Sequence, residues 1–356
     1  MYKKIIRPML FKQDPEKVHD RLTRLGRFAS FTKLSRLVRG MFVYKNEKLE
    51  NEVLGIKFDN PVGLAAGFDK NAVLTDFMPD IGFGFVEVGS VTAHPCEGNP
   101  KPRLHRLVKD KGIIVYYGLC NEGADKINKR LEGKKFRIPV GVSVAKTNDK
   151  NIKGDASVED YFSGFMKMKD IGDYITINIS CPNSGDGCSF ENDKLLEALL
   201  KKIEKVRKKE IIFMKISPDL DKKKLDKIIE LAGKYKINGF VISNLSKKRN
   251  GLTKDPKLKF PGGVSGKHVA KKANSMIEYV YKKTKGKFVI IGVGGVFNGQ
   301  DAYDKIKKGA SLIQLITGMI YGGPGVIKKI NKELVELLEK DGYSNIKEAI
   351  GGEYKT

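Results

Sequence analysis

From about residue 53 onward the chain alternates short apolar runs with amphipathic stretches. The runs are NPVGLAAG (60–67), FGFVEVGSVT (83–92), IPVGVSVA (138–145), YITINIS (174–180), IIFMKIS (211–217), GFVISN (239–244), FVIIGVGG (288–295) and LIQLITG (312–318). Between most of them lie segments such as DKKKLDKIIELAGKY and NGQDAYDKIKKGA, which read as helices with one apolar face. That alternation predicts a parallel sheet whose strands are joined by crossover helices. Eight such units over this length predict an α/β fold of the (β/α)8 TIM-barrel type in preference to an open doubly wound sheet. No internal repeat or low-complexity tract interrupts the pattern.

The first fifty residues follow a different period. In DPEKVHDRLTRLGRFASF an Asp at the N-cap and a Pro at the first helical position precede Val18, Leu22, Leu25 and Phe28, spaced three and four apart. FTKLSRLVRGMF continues with Leu34, Leu37 and Val38, so a pair of amphipathic helices is predicted. Two roles stay open for the pair: packing on the body, or lying on a membrane surface, which apolar faces flanked by Arg favour. The expected division is a small N-terminal helical extension over 1–50, a barrel over 51–340 and a C-terminal tail over 341–356. No apolar run approaches the roughly 20 residues of a membrane span. MYKKIIRPMLF is broken by Arg7 and Pro8 and has no small-residue cleavage pattern, so it is not read as a signal peptide. The chain is expected to stay in the cytoplasm.

Charge and cysteine usage narrow the picture further. The chain carries 67 Lys plus Arg against 42 Asp plus Glu, a net of +25, and residues 1–50 alone hold 13 basic and 5 acidic side chains. The lysines are spread through every helix, which predicts a solvated basic surface, and no motif supports nucleic-acid binding. The four cysteines, Cys96, Cys120, Cys181 and Cys188, form no C-x-x-C pair, and free thiols are expected. With His and Cys scattered, no metal site is expected either.

If the strands lie where the runs predict, the residues at their carboxyl ends share one mouth. These are Ala66 and Lys70, Ser90, Ser143, Asn178 to Asn183, Lys215, Ser243 and Asn244, Gly294 and Gly295, and Thr317 and Gly318. The set is rich in amides and hydroxyls, holds two lysines, and lacks a carboxylate or histidine pair. Acid and base work then falls to Cys181, a Lys or a ligand. The glycine endings GVGG and TG, together with GGVSG (262–266), fit a phosphate held on backbone N–H groups. A lysine inside a barrel strand, Lys215, asks for an anion or dipole to meet its charge.

The motifs NPVGLAAGFDKNA, FVEVGSVTAHPCEGNPKPRLHRL, INISCPNS, MKISPDL, GGVSG, IIGVGGV and GASLIQLITG occur in order along nearly the whole chain. Together they resemble the dihydroorotate dehydrogenases, specifically the membrane-associated, quinone-using class, whose N-terminal extension is similar to MLFKQDPEKVHD. The resemblance implies an FMN-binding barrel that oxidises dihydroorotate to orotate, a step of pyrimidine synthesis, and passes electrons to a quinone. It implies FMN contacts at Ala66, Ser90, Ser143, Asn178, Lys215, Ser243, Gly266, Gly295 and Thr317. It implies substrate contacts at Lys70, Gly118, Leu119, Asn178, Asn183 and Asn244, the catalytic base at Cys181, and a quinone tunnel lined by His19 and Arg106. A peripheral contact on the cytoplasmic side of a membrane and a monomer are the corresponding expectations for partners.

The chain departs from that pattern at several of these places. The base is Cys181 where the quinone-using class carries Ser, so activity is expected at lower pH than a serine base allows. An orotate-binding Asn is replaced by Val115, the residue after Asn244 is Leu245 instead of Ser or Thr, and Ile316 replaces the Tyr before Thr317. Cys120 beside Asn121 stands in the same wall. Apolar groups at such positions leave polar ligand atoms unpaired, at roughly 1 to 3 kcal/mol each. An FMN oxidoreductase of the same fold acting on another dihydropyrimidine or cyclic amide is therefore the second reading, and a non-catalytic flavin- or nucleotide-binding protein the third.

Overall fold

The computed structural model describes residues 2–180 and 190–354. All eight runs form strands of one closed parallel barrel: Val62–Leu64, Phe85–Val91, Val140–Val144, Tyr174–Asn178, Ile212–Ile216, Gly239–Ile242, Val289–Val293 and Leu312–Leu315. They stand in chain order around the barrel, and the eighth closes on the first through the Ile313–Val62 register.

The barrel floor follows from the two-residue period of its strands. Phe85, Tyr174, Phe213 and Leu312 point inward and pack with Phe58 from the Ile56–Phe58 strand below. Room for these rings comes from glycine on the neighbouring strand: a Cβ at Gly63 would lie 2.4 Å from the Phe85 ring, and one at Gly141 would lie 2.1 Å from Tyr174. Two residues further along the same strands stand Glu87, Thr176, Lys215 and Gln314. Glu87 is fully buried, and its carboxylate accepts from Thr176 Oγ1 at 3.0 Å and Gln314 Nε2 at 3.0 Å. An apolar plug is thus followed by a polar layer, and the functional residues begin where the plug ends.

The N-terminal helices form as predicted and are joined by one more. Helix α1 spans Arg7–Phe11, α2 spans Pro15–Ser30 and α3 spans Leu34–Phe42. Pro8 lies in α1 just after a wider helical turn over Tyr2–Ile6, so the chain continues as helix where the sequence alone reads as interrupted. Asp14 caps α2 by accepting from Lys17 N at 2.9 Å. Gly26 lets α2 approach the barrel, since a Cβ there would meet Phe77 Cδ1 at 2.9 Å.

Two features were not expected. Leu104–Leu107, Gly112–Val115 and Gly263–Gly266 form a three-stranded antiparallel sheet beside the barrel mouth. GGVSG is therefore mostly a strand and not a free glycine loop. The C-terminal stretch also packs on the body: Ile346 and Ala349 are fully buried, and Gly351 N donates to Ile306 O at 3.0 Å.

One buried charge gives the fold a pH dependence. Lys305 is 1% exposed, donates to Asn274 Oδ1 at 2.5 Å, and forms no ion pair among the described residues. Burial pulls its pKa down from 10.5 to about 7. Between these values the unfolded chain holds the proton and the folded chain does not, so the contribution of Lys305 to stability rises with pH. Lys305→Met keeps the buried stem and removes the charge. Its stability difference from wild type should shrink by roughly 2 kcal/mol between pH 7 and pH 9, with the variant the more stable at pH 7. Denaturant melts at both pH values check this, and a difference that does not change with pH contradicts it.

Candidate active site

A single cavity of about 600 Å³ joins the carboxyl ends of the barrel strands to the N-terminal helices. Its inner end is lined by Ala66, Ser90, Asn178, Lys215, Ser243 and Asn244, with Gly266, Gly295 and Thr317 alongside. Its outer end is lined by Leu22, Leu25, Leu34, Val38 and Phe42 of α2 and α3. Between the two ends stand Lys70, His19, Arg106, Tyr117, Gly118 and Leu119. Fourteen of the residues expected to bind a ligand therefore share one space. Cys181 and Asn183 lie outside the described residues.

Ser143 is the exception among the described residues. It is fully buried and does not line the cavity; its hydroxyl shares a 2.8 Å hydrogen bond with Ser90 Oγ, which does. Asn178 Nδ2 donates to the same Ser90 Oγ at 2.9 Å, so three strands fix one polar corner. Asn244 Nδ2 donates to Ser180 O at 3.0 Å and Asn178 Oδ1 at 3.3 Å, while its Oδ1 accepts from Leu245 N at 2.8 Å. Ser180 Oγ donates to Lys215 O at 2.9 Å. The amides are thus oriented by their neighbours before any ligand arrives, which lowers the cost of binding one.

Charge on the cavity wall is of one sign. Lys70, Lys215 and Arg106 line it, and no Asp or Glu does so among the described residues. Lys215 is 4% exposed. Lys70 is partly exposed toward the cavity, yet the surrounding protein pushes its pKa down to about 8. Arg106 Nη1 donates to Gln13 O at 2.8 Å and Phe11 O at 3.3 Å, and burial lowers its pKa as well. His19 Nε2 donates to Phe68 O at 2.9 Å, tying α2 to the loop that carries Lys70. A wall of this composition suits ligands that carry negative charge.

The glycines at the mouth have a packing explanation. A Cβ on Gly318 would lie 2.0 Å from Val296 O, and one on Gly295 would lie 2.3 Å from Ala270 Cβ. Their absence of side chain serves the fold and gives the phosphate reading no separate support. Of the residues where the chain departs from the family pattern, Val115, Leu245 and Ile316 line the cavity, as does Cys120 in the same wall, whereas Ser143 does not. Several contributors went unnoticed in the sequence. Ser265 pairs its hydroxyl with Thr317 Oγ1 at 2.8 Å, and Tyr117 places its ring 3.8 Å from Lys70 Nζ. Glu16 of α2 meets Arg103 in a buried ion pair. The short YYG tract around Tyr117 was the only available signal.

Comparison with known proteins agrees with this arrangement. A profile of the dihydroorotate dehydrogenase family matches residues 48–338. The chain is 40% identical over 341 residues to dihydroorotate dehydrogenase (quinone) of Christiangramia forsetii, covering 94% of this chain and 99% of that protein. It is 37% identical over 374 residues to the protein of that name from Trichodesmium erythraeum, covering 99% and 98%. The crystal structure of DHODH from Eimeria tenella in complex with ferulenol superimposes with a TM-score of 0.86 at 30% identity, covering 99% of each chain. The closed barrel, the cationic wall of its mouth and its helical extension agree with these likenesses along the whole length, and the chain belongs to the dihydroorotate dehydrogenase family.

Proposed function

We propose that this chain oxidises dihydroorotate to orotate with the help of bound FMN and delivers the electrons to a quinone. The observation that carries this reading is the continuity of the cavity, which is polar and cationic at the barrel and apolar at the helices. Two ligands of opposite character thus reach adjoining parts of one space. The relatives named above all bear the dihydroorotate dehydrogenase name, and none favours another substrate.

The donor set fits FMN. Ser90, Asn178, Lys215 and Ser243 would hold its ring, and Gly266, Gly295 and Thr317 its phosphate end. FMN supplies a two-electron acceptor for the substrate's hydride and a donor for the quinone. The chain itself does the rest. Lys70 meets the substrate carboxylate, while Asn178 and Asn244, already oriented, hold its polar ring edges. Cys181, as a thiolate, takes the C5 proton as hydride leaves C6. His19 and Arg106, which line the cavity, would meet the quinone head.

The membrane contact belongs to the same proposal. Leu22, Leu25 and Leu34 line the cavity and are 43%, 56% and 45% exposed, so the cavity opens on the outer face of α2 and α3. Phe28 and Phe31 beside them are 65% and 75% exposed. No helix of the described residues is long and apolar enough to cross a membrane. An exposed apolar face next to Arg24, Arg27 and Arg36 suits a surface of anionic lipid.

Anaerobic mixing of the holoenzyme with L-dihydroorotate tests the central claim. The yellow colour should bleach and return when a quinone is added. A flavin that bleaches with dithionite and not with dihydroorotate would transfer attention to another dihydropyrimidine or cyclic amide, with Val115 and Leu245 as the residues to explain.

A further inference from the structure

Lys70 presents an electrostatic problem that its neighbours only partly solve. It lines the cavity and takes part in no hydrogen bond or ion pair among the described residues. The acidic groups around it are otherwise engaged or remote. Asp69 accepts from Val73 N and Leu74 N at 2.9 and 2.8 Å. Glu16 is committed to Arg103, and Asp20 lies beside His19 Nδ1 at 3.2 Å. Cys120, Asp20 and Glu16 favour the ammonium from a distance, Arg103 opposes it, and burial outweighs them. The contact that does reach Lys70 is the face of the Tyr117 ring, 3.8 Å from Nζ to the centroid.

The same ring is held from outside. The Arg103 guanidinium lies 5.1 Å from its centroid and the His19 ring 6.4 Å from it at a tilt. The Tyr117 hydroxyl is buried and has no hydrogen-bond partner among the described residues. What Lys70 meets is the face of the ring and not the hydroxyl. Aromatic faces attract a desolvated cation strongly, whereas a leucine in the same space offers only shape.

We propose that Tyr117 is a positioning residue whose ring keeps Lys70 charged and aimed at the site until an anionic substrate arrives. The claim rests on the proposed pairing of Lys70 with the substrate carboxylate, and adds a residue to it. Without the ring, Lys70 loses its proton at lower pH. The affinity for a carboxylate ligand then falls over a pH range in which the wild type still binds.

Calorimetric titration of the holoenzyme with orotate between pH 5.5 and pH 9 tests this directly. Tyr117→Phe should bind like wild type throughout. Tyr117→Leu should bind about ten- to thirtyfold more weakly at pH 8, and the gap should narrow toward pH 5.5, where Lys70 is charged in both. A gap that is the same at every pH overturns the proposal, because a merely collapsed wall would act that way. Should the Leu variant lose its flavin, fluorinated phenylalanines at position 117 replace it. They weaken the ring face in steps with little change of shape, and the midpoint of the pH profile should move down with each step; a fixed midpoint overturns the proposal. Lys70→Met separates the two claims. If it binds orotate as well as wild type, the carboxylate pairing itself is wrong; if it binds weakly while the Tyr117 series has no effect, only the role of Tyr117 is wrong.

Discussion

With Cys181 replaced by Ala, the protein should remain yellow and its flavin should be reduced by dihydroorotate about 10²- to 10⁴-fold more slowly, the range that a positioned general base supplies. The composition of the cavity wall is the reason for expecting so large an effect from one thiol. Among the described residues it carries no carboxylate, and its other basic candidates already have work. Lys215 belongs to the proposed flavin floor, Lys70 to the substrate carboxylate, and His19 Nε2 donates to Phe68 O. Cys181→Ser should recover part of the rate, and the recovery should grow with pH because a hydroxyl is a weaker acid than a thiol with pKa near 8.5. Stopped-flow absorbance of the flavin in a single anaerobic turnover separates this step from quinone reduction. An Ala variant that reduces as fast as wild type would remove Cys181 from the mechanism.

The largest expected effect on stability lies away from the chemistry. Arg103 and Glu16 are 6% and 7% exposed, and Arg103 Nε donates to Glu16 Oε1 at 3.1 Å and to Oε2 at 3.3 Å. Arg103 Nη1 also donates to Glu97 O at 2.7 Å, so one guanidinium ties α2 to the loop that leads toward Tyr117. Removing one partner leaves the other charge buried. Arg103→Leu leaves Glu16, among the described residues, only the exposed Lys101 ammonium at 3.6 Å. The expected cost is about 3 kcal/mol, concentrated in the seating of α2 on the barrel, so hydrogen exchange across Pro15–Ser30 should accelerate before the barrel itself melts. The double variant Glu16→Leu with Arg103→Leu should recover most of the loss, since no unpaired charge remains. Equal protection in the wild type and the single variant would show that other contacts seat the helix.

The barrel was legible because each strand is an apolar run ending in glycine or a polar residue, and the order of runs left one economical closure. The antiparallel sheet was not. Leu104–Leu107 contains His105 and Arg106, and Gly263–Gly266 is half glycine, so neither shows the alternation that marks a strand. Helix α1 was hidden by Pro8, which reads as a break although the helical turn over Tyr2–Ile6 runs into α1. Most candidate site residues were legible because barrel topology brings strand ends together whatever the sequence between them. Ser143 was assigned to the cavity on its position at a strand end, and the structure turns its hydroxyl toward Ser90 instead. Tyr117 and the pair of Glu16 with Arg103 depend on contacts between residues 47 and 87 positions apart, a kind of proximity that no local pattern encodes.

The outward opening of the cavity at Leu22, Leu25 and Leu34 also bears on how such an enzyme is supplied. A ligand that enters from bulk water arrives in three dimensions at a rate set by its concentration in the medium. On the proposed membrane seating, the electron acceptor instead arrives in two dimensions, and what sets its supply is its mole fraction among the lipids. The two half-reactions then answer to different reservoirs: the carboxylate substrate to the composition of the aqueous phase, and the quinone to that of the bilayer, so that dilution by lipid and dilution by water act on different halves of the turnover.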